Sequence, residues 1–340
     1  MRNVIFFTHS EKNPSGGAKY IYKFSQIINE LNNFSSAVIH IKKKKISKYK
    51  NSINKIFTIK KKIPSGWQVD DITSVKNFKY KWFESRVNLK ENFTFNHKKD
   101  FVILPEIFAH FAEKLLIKKK INYAILVQNG YSINSTNDEK SLLKAYNNAK
   151  FILSVSKNTS NCIKLRFPKL STRILKVSYS IDLGNVKFNK KKNIITYMSR
   201  KLPQHSNLVI QYLKNNLNKD WKINNLQNLS ETKTYELLKE SKIFLSFSNL
   251  EGFGLPPLEA ALAGNNVIGY TGEGGTEYWQ KPIFIKINSG EVNKFAIKVL
   301  QETKKIKQRN NHYRSKYNIL KKKFSKENEI QNIKNFVKLI

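Results

Sequence analysis

The sequence has little cysteine and no long apolar run. Its single cysteine, Cys162, excludes an internal disulfide and a zinc site built from several thiolates, and its apolar surroundings predict a buried thiol. The apolar stretches fall well short of the roughly 20 residues that span a bilayer, and the run at residues 4–7 is too short for the core of a signal peptide. These features predict a cytoplasmic protein whose contact with a membrane, where one forms, is peripheral.

Acidic residues are also scarce. There are 24 of them against 62 lysines and arginines, which gives a net charge of +38 over 340 residues. Only seven of the basic residues are arginines, the residue that proteins use for bidentate contacts to bases, so the composition argues against specific nucleic-acid recognition. Abundant lysine together with Asn, Ile, Phe and Tyr is typical of an AT-rich genome. Charge alone therefore leaves two explanations open, a functional basic surface and a bias in codon usage.

The length and the apolar pattern predict two α/β domains. At roughly 150 residues per domain, 340 residues suffice for two cores, and 40% hydrophobic with 12% aromatic residues exclude a disordered chain. Short apolar runs alternate with helical patterns, as in parallel sheets, although lysine runs obscure the pattern over residues 42–99. The polar stretch 182–192 is typical of a linker. We expect a first domain over residues 1–182, a second over 183–324, and a C-terminal helix over 325–340 that can pack back on the first domain.

In sheets of parallel strands, ligands bind at the carboxyl ends of the strands. One such strand end is the string FSNLEGFGLPPLEA at residues 247–260, where a strand gives way to a glycine-containing loop and two prolines open a helix. The amides of the loop and of the helix start suit an anion such as phosphate. Glu251 and Glu259, eight residues apart, can accept hydrogen bonds from sugar diols. A plainer explanation is an ordinary loop with a glutamate that interacts with the helix dipole.

This string, continued by VIGYTGEGGTEY at residues 267–278, resembles the E-x7-E motif of the retaining GT-B glycosyltransferases of the GT4-like group. It is most similar to bacterial polysaccharide-assembly transferases that carry EGFGLPPLEA followed by GYTG-GG-EY. The resemblance implies an α/β GT-B fold, in which two Rossmann-like domains turn their parallel sheets toward a central cleft. The first domain would bind the acceptor, and the second would bind the nucleotide sugar.

The resemblance also implies an activity and a set of site residues. The activity is transfer of a hexosyl or deoxyhexosyl group from a nucleotide-diphospho-sugar to a glycan or lipid-linked acceptor in cell-surface polysaccharide biosynthesis. Configuration is retained, and neither a metal nor another cofactor takes part. Glu251 would contact the hydroxyls of the donor sugar and Glu259 the ribose, while Glu277 is carried over from the same pattern. The donor-binding loop would comprise Gly252, Phe253, Gly254 and Leu255.

A second matching element supplies positive charge. The strand at residues 194–197 delivers Arg200 and Lys201 to its carboxyl end, where fixed cations would stabilise the charge that develops on a departing diphosphate. The pair resembles the YMPRK string of one subgroup, with Ser199 in place of the proline. Either Lys201 or His205 could join Arg200 in binding the diphosphate. In a chain so rich in lysine, a solvated basic pair is the competing explanation.

The first domain contributes three further segments. Gly16 and Gly17, in the string NPSGGA, permit a close backbone approach beside a helix N-terminus that favours an anion, and they match the glycine loop of GT-B enzymes. Glu106 follows one predicted strand, and Gln128 and Asn129 follow another, where the resembling subgroup carries PE and QN-Y. These three side chains are candidates for hydrogen bonds to sugar hydroxyls. For Glu106, an interaction with a helix dipole is an equal alternative.

Motifs that are absent narrow the function. The sequence has no Walker A string, no G-x-G-x-x-G fingerprint, no H-E-x-x-H and no Asp-x-Asp pair, which favours a transferase that uses basic side chains instead of a metal. The competing hypothesis is a non-enzymatic protein whose +38 charge binds polyanions or an anionic membrane surface. A GT-B epimerase or a glycogen-type phosphorylase is less favoured, because a phosphorylase needs a pyridoxal phosphate site in a much longer chain.

Overall fold

The chain folds into two compact units, each built on a largely parallel β-sheet with helices, so the expected α/β class is confirmed. Unit 1 comprises residues 1–154, 163–175 and 333–340, and unit 2 comprises residues 155–162 and 176–332. The structure is a computed structural model that describes residues 1–13, 15–43, 71–83, 86–134, 136, 138–305 and 311–340.

The sheet of unit 1 is formed by β1 (Arg2–His9), β2 (Phe34–Lys43), β3 (Ile72–Ser74), β4 (Asn88–Leu89), β5 (Asp100–Pro105), β6 (Asn122–Val127), β7 (Phe151–Ser154) and β8 (Ile174–Lys176). The strand order is β3-β2-β1-β5-β6-β7-β8, and β4 pairs with β2. β1 is parallel to β2 and β5, and β6 is parallel to β5 and β7, whereas β3 is antiparallel to β2.

The helices along this part of the chain are α1 (Gly16–Asn29), α2 (Ala112–Leu115), α3 (Glu139–Asn148) and α4 (Lys157–Arg166), of which α4 begins in unit 2. Short 3-10 turns lie at Glu106–Phe111, Ile117–Lys119, Gly130–Ser132 and Pro168–Arg173. The apolar run at residues 4–7 is buried throughout, as expected for a parallel strand covered on both faces. In α1, Ile21, Phe24 and Ile28 recur at helical spacing and are buried, and Ser15 caps the helix.

Unit 2 has a fully parallel sheet, in the order β10-β9-β11-β12-β13. Its strands are β9 (Lys192–Tyr197), β10 (Lys222–Asn225), β11 (Ser241–Glu251), β12 (Asn266–Glu273) and β13 (Phe284–Lys286). Its helices are α5 (Pro203–Asn216), α6 (Glu231–Glu240), α7 (Leu255–Leu262), α8 (Val292–Lys305), α9 (Asn311–Lys323) and α10 (Lys326–Val337), with 3-10 turns at Phe188–Lys190 and Gly274–Glu277. One core cluster joins strand residues such as Leu245 and Ile268 to Leu213 of α5 and Phe295 of α8.

The predicted linker, residues 182–192, carries an anchor near its end. Lys191 is buried, and its Nζ donates hydrogen bonds to the carbonyl oxygens of Leu238 and Ser241 at 2.9 Å each and of Ala263 at 2.5 Å. Ser241 and Ala263 are the residues that end α6 and α7. Because the carboxyl end of a helix carries partial negative charge, two helix ends together accept one buried ammonium group.

Residues from 333 onward belong to unit 1, although α10 begins in unit 2. Phe336 packs there against Phe24, Phe101 and Phe151, with ring centroids 6.0, 6.1 and 6.2 Å away. Cys162 is half-buried and not buried as expected, because Thr159 and Ile163 form the buried face of α4 and Cys162 lies beside that face. Among the described residues, no helix is both long and apolar enough to cross a membrane.

Candidate functional site

The loop between β11 and α7 has an unusual backbone. Leu250 and Gly254 have positive φ angles of 46° and 80°, a region that strains any residue with a Cβ. Gly254 caps α7, and a Cβ added to it would lie 2.9 Å from the hydroxyl oxygen of Tyr278, which donates a hydrogen bond to the Gly254 carbonyl. Position 254 therefore requires glycine. Strain at Leu250, just before Glu251, is a feature that recurs at functional sites.

The start of α7 offers fewer backbone donors than an ordinary helix start. A helix leaves its first N–H groups without intrahelical partners, but Pro256 and Pro257 have no N–H to offer. Leu255 keeps its amide, and the loop adds the amides of Phe253 and Gly254. An anion at this position would therefore be bound mainly by the amides of the loop. The helix start donates fewer N–H groups to it than the sequence analysis expected.

Lys201 and Glu251, both predicted as site residues, contact each other. The Nζ of Lys201 lies 3.2 Å from Oε1 of Glu251, and both side chains are partly exposed, at 36% and 24%. The contact joins the loop after β9 to the end of β11. A carboxylate and an ammonium group at one edge of the sheet can address a sugar hydroxyl and a phosphate oxygen, respectively.

Glu259 has a partner that the sequence did not single out. The hydroxyl of Tyr235, in α6, donates a hydrogen bond of 2.9 Å to Oε1 of Glu259. Burial raises the pKa of the Tyr235 hydroxyl, and the negative charge of Glu259 raises it further, so the tyrosine stays a hydrogen-bond donor. A lone tyrosine on a polar helix carries no sequence signal for this role. The bond fixes the orientation of a carboxylate that follows the glycine loop by one helical turn.

Arg200, Ser199 and His205 lie between β9 and the first turn of α5. Arg200 is exposed, and the hydroxyl of Ser199 donates to the side-chain oxygen of Gln227 at 2.6 Å and accepts from Asn225 at 3.1 Å. Nδ1 of His205 is 3.1 Å from the hydroxyl oxygen of Tyr270. Within the described residues, the cation in contact with Glu251 is Lys201, whereas His205 contacts Tyr270.

The loops after β11 and β12 pack closely, and Glu277 lies at the end of the second. A Cβ added to Gly274 would overlap the backbone of Glu251 and Gly252, so this approach requires glycine. The Glu277 carboxylate is nearly buried, accepts the backbone N–H of Lys157 at 2.8 Å, and pairs with Lys176 Nζ at 2.8 and 3.0 Å. Glu277 thus holds the start of α4 and the end of β8 by bonds within unit 2.

In unit 1, Glu106 organises the strand end that carries Gln128 and Asn129. Glu106 is 4% exposed, and its two oxygens accept the backbone N–H groups of Gln128 at 3.1 Å and Asn129 at 3.0 Å. Burial raises the pKa of Glu106 to about 7, and these N–H groups only partly oppose that rise. The sequence offered a sugar contact or a helix dipole for Glu106. In the structure Glu106 begins the 3-10 turn Glu106–Phe111 and also contacts the backbone of Gln128 and Asn129.

Gly17 is tied to the same cluster. The Gln128 side-chain amide donates to the Gly17 carbonyl at 2.9 Å, and a Cβ on Gly17 would lie 2.6 Å from the Gln128 side-chain oxygen. Gly16 begins α1, directly after its cap Ser15. Unit 1 thus brings Gly17, Glu106, Gln128 and Asn129 together, while Pro14 of the same glycine string lies outside the described residues. No group of three or more His, Cys, Asp or Glu side chains suited to a metal occurs in the described part of the chain.

Residues 204–283 match the family model for glycosyl transferases group 1. This segment contains Glu251, Glu259 and Glu277 and begins just after Arg200 and Lys201. None of the curated proteins matches the sequence at a significant level.

Solved structures share the fold over the whole chain. HepE from Anabaena, in complex with UDP, is 10% identical with a TM-score of 0.69, and the alignment covers 100% of both chains. TarM is 10% identical with a TM-score of 0.64, over 100% of this chain and 98% of that one. Sucrose-phosphate synthase from Thermosynechococcus elongatus is 8% identical with a TM-score of 0.65, over 99% and 98%. The shared fold is that of the GT-B glycosyltransferases, so the expected fold is confirmed.

Proposed function

We propose that this protein is a glycosyltransferase of the GT4-like group. It transfers a hexosyl or deoxyhexosyl group from a nucleotide-diphospho-sugar to a glycan or lipid-linked acceptor, with retention of configuration. The observation that carries the proposal is the glycine loop between Glu251 and Glu259, two carboxylates around backbone amides within the segment that matches glycosyl transferases group 1. Among proteins of the same fold, HepE has been solved with UDP and with UDP and glucose.

The proposed donor contacts follow from the charges of unit 2. Arg200 and Lys201, with the amides of Phe253, Gly254 and Leu255, supply the positive groups that a diphosphate needs. As the glycosidic bond breaks, negative charge grows on the departing phosphate, and fixed cations stabilise that charge more strongly than they stabilise the intact donor. These groups do the work that a divalent cation would otherwise do, so we propose a reaction without a metal or other cofactor.

The two carboxylates act on different parts of the donor. We assign Glu251 to the hydroxyls of the transferred sugar, next to the cation that holds the phosphate. We assign Glu259 to the ribose, as its place in the E-x7-E pattern implies, and the hydroxyl of Tyr235 helps to hold this carboxylate. In unit 1, Gly16 and Gly17 are proposed donor contacts, and Gln128 and Asn129 are proposed contacts to sugar hydroxyls. Glu106 holds these last two in place.

Retention is proposed to occur by front-face displacement. The acceptor hydroxyl attacks the anomeric carbon on the side from which the diphosphate leaves, a bond forms from that oxygen to the carbon, and the bond to the phosphate oxygen breaks. The leaving phosphate oxygen takes the proton of the acceptor hydroxyl. No side chain serves as a nucleophile in this scheme, so the protein contributes positioning and charge stabilisation.

We further propose that the reaction belongs to cell-surface polysaccharide biosynthesis and takes place at the inner face of the plasma membrane. The excess of lysine, at a net charge of +38, would attract the protein to anionic lipid that carries the acceptor. The same charge supports the alternative of a non-enzymatic protein that binds polyanions.

One assay separates these two functions. Purified protein is incubated with UDP-, GDP- and dTDP-sugars in EDTA, together with a glycan and lipid-linked acceptor mixture that receives the sugar, and the released nucleoside diphosphate is measured. We expect release from one donor class, lost in Glu251→Ala and kept in Glu236→Ala, a control that removes an exposed glutamate of α6. Absence of release from every donor, together with heparin binding that survives Glu251→Ala and disappears at high salt, would favour the polyanion-binding protein.

A further inference from the structure

Two buried hydroxyl groups hold one carbonyl of the glycine loop. Ser156 Oγ donates to the Gly252 carbonyl oxygen at 2.5 Å, and Thr159 Oγ1 donates to the same oxygen at 3.1 Å. Both side chains have no solvent exposure. A carbonyl oxygen has two lone pairs, so these hydroxyls fill its capacity as an acceptor. All three residues belong to unit 2.

The arrangement goes beyond what the start of α4 needs. Ser156 Oγ already accepts the backbone N–H of Thr159 at 2.9 Å, which is an ordinary helix cap. A cap requires neither the Thr159 hydroxyl nor a carbonyl almost a hundred residues further along the chain. The second set of bonds therefore acts on the Gly252 peptide.

The ring of Phe253 is anchored by its neighbours, but this anchoring does not fix the orientation of the peptide group between Gly252 and Phe253. The Phe253 ring is buried among Tyr179, Tyr278 and Phe324, with ring centroids at 4.9, 5.6 and 5.7 Å, so the residue itself is anchored. The peptide between Gly252 and Phe253 can still rotate about its flanking bonds. Glycine makes such rotation easy, because it tolerates almost any backbone angles.

Because the peptide group is planar, the hydrogen bonds that hold the Gly252 carbonyl also fix the direction of the Phe253 N–H. In a trans peptide the C=O of one residue and the N–H of the next point in opposite directions. With the Gly252 carbonyl held against Ser156 and Thr159, the Phe253 N–H must point away from them. A ligand cannot approach the Gly252 carbonyl from the side of Gly274, because Gly274 packs against Gly252 with no space for even a methyl group.

We infer that Ser156 and Thr159 are positioning residues that aim the Phe253 amide at the diphosphate of the donor. The inference rests on the proposed function and names two residues that act on the donor through Gly252. An amide that already points at the anion site needs no free energy for reorientation when the anion binds, so it stabilises the anion more than a mobile amide does. Without the hydroxyls, the buried carbonyl loses both partners and the peptide can turn.

The test compares affinities for UDP and for uridine by calorimetry, in wild type and in Ser156→Ala/Thr159→Val. GDP with guanosine and dTDP with thymidine serve in the same way if one of them is the tighter ligand. We expect the double variant to bind the nucleoside diphosphate about ten- to a hundredfold more weakly, the range associated with one hydrogen bond to a charged group. Its affinity for the nucleoside, which has no phosphate, should be unchanged.

Controls separate positioning from general damage. Thr159→Ser keeps the hydroxyl and should bind like wild type, and Ser25→Ala removes a hydroxyl buried in unit 1 and bonded to Ser36, and should also leave affinity unchanged. If the double variant does not fold, as judged by its thermal transition, Thr159→Val alone should show a smaller loss of the same kind. In wild type, adding the nucleoside diphosphate should shift the amide resonance of Phe253.

The outcomes are distinct. Equal loss of diphosphate and nucleoside affinity in the variant, or no loss at all, overturns the positioning role while the proposed function stands. Failure of wild type to bind any of the three nucleoside diphosphates overturns the proposed function and the inference together. Loss confined to the diphosphate, with Thr159→Ser unaffected, supports the inference.

Discussion

The ammonium nitrogen of Lys201 lies 3.2 Å from a carboxylate oxygen of Glu251, two residues far apart in the sequence at the ends of neighbouring strands. Both side chains are partly exposed, so the ion pair contributes less than about 1 kcal/mol to folding. A weak pair of this kind suits exchange with a ligand. A donor would replace it with two contacts, a phosphate oxygen for Lys201 and a sugar hydroxyl for Glu251.

The first prediction concerns Lys201→Ala. Because the cation is assigned to the leaving diphosphate, transfer should fall at least about a hundredfold, as for other groups that stabilise charge in a transition state. The thermal midpoint should hardly change, since the lost ion pair is partly exposed. Nucleotide release and thermal unfolding of the same preparations measure both effects. Lys233→Ala, which breaks an exposed pair on α6, is the matched control, and equal activity of the two variants would remove Lys201 from the site.

The second prediction concerns ribose recognition by Glu259. Glu259→Ala should bind UDP, or whichever nucleoside diphosphate binds best, about ten- to a hundredfold more weakly. It should also lose the preference of wild type for the ribonucleotide over its 2′,3′-dideoxy analogue. Tyr235→Phe should have a smaller effect, because Tyr235 contacts Glu259 and not the donor. A Glu259→Ala protein that still prefers the ribonucleotide would contradict the assignment.

The third prediction concerns stability. Lys191→Met leaves three buried carbonyl oxygens without their ammonium partner, so the free energy of unfolding should fall by about 3 kcal/mol or more. Lys192→Met, next to it, breaks only an exposed pair with Glu240 and should cost less than about 1 kcal/mol. Urea unfolding of the two variants gives the comparison. Equal losses would show that the helix ends do not depend on Lys191.

The fourth prediction concerns pH. The pKa of Glu106 is raised by burial from the usual 4.5 to about 7, so the folded state binds a proton that the unfolded state has released between those values. Its contribution to stability is therefore complete below about pH 4.5 and is lost as pH rises through about 7, by roughly 3 kcal/mol in all.

Glu106→Gln tests this prediction because glutamine does not titrate. The decline in the free energy of unfolding between pH 5 and 8 should be steeper in wild type than in the variant. Parallel pH profiles would mean that Glu106 is ionised throughout this range. The comparison is made by urea unfolding at each pH, since only the difference between the two proteins isolates one carboxyl group.

The alternation of strands and helices and the loop at residues 247–260 could be predicted from the sequence because both are local patterns. Apolar runs mark parallel strands, and a glycine loop followed by prolines marks the turn into a helix. The two prolines also show what a local pattern omits. They open α7 as expected, but they remove two of the amides that an anion would use.

The remaining contacts join residues that are distant in the sequence. In the sequence Lys191 is one of several lysines in a predicted linker. It is buried because the ends of two helices come together around its ammonium group. Tyr235 and the hydroxyl of Thr159 carry no motif of their own. The position of Glu106 directly after a strand could be predicted from the sequence. Its contacts with the backbone of Gln128 and Asn129, which follow the neighbouring strand, could not.

The most direct test is a thermal-shift measurement with UDP, GDP and dTDP, without a divalent cation, on wild type, Glu259→Ala and Glu236→Ala. A ligand that binds the folded state raises the midpoint by mass action. We predict that one nucleoside diphosphate raises the midpoint of wild type and Glu236→Ala, and that the same concentration raises the midpoint of Glu259→Ala much less. A midpoint that no nucleotide raises, but that heparin or anionic lipid raises equally in all three proteins at low salt, would contradict a nucleotide-sugar transferase.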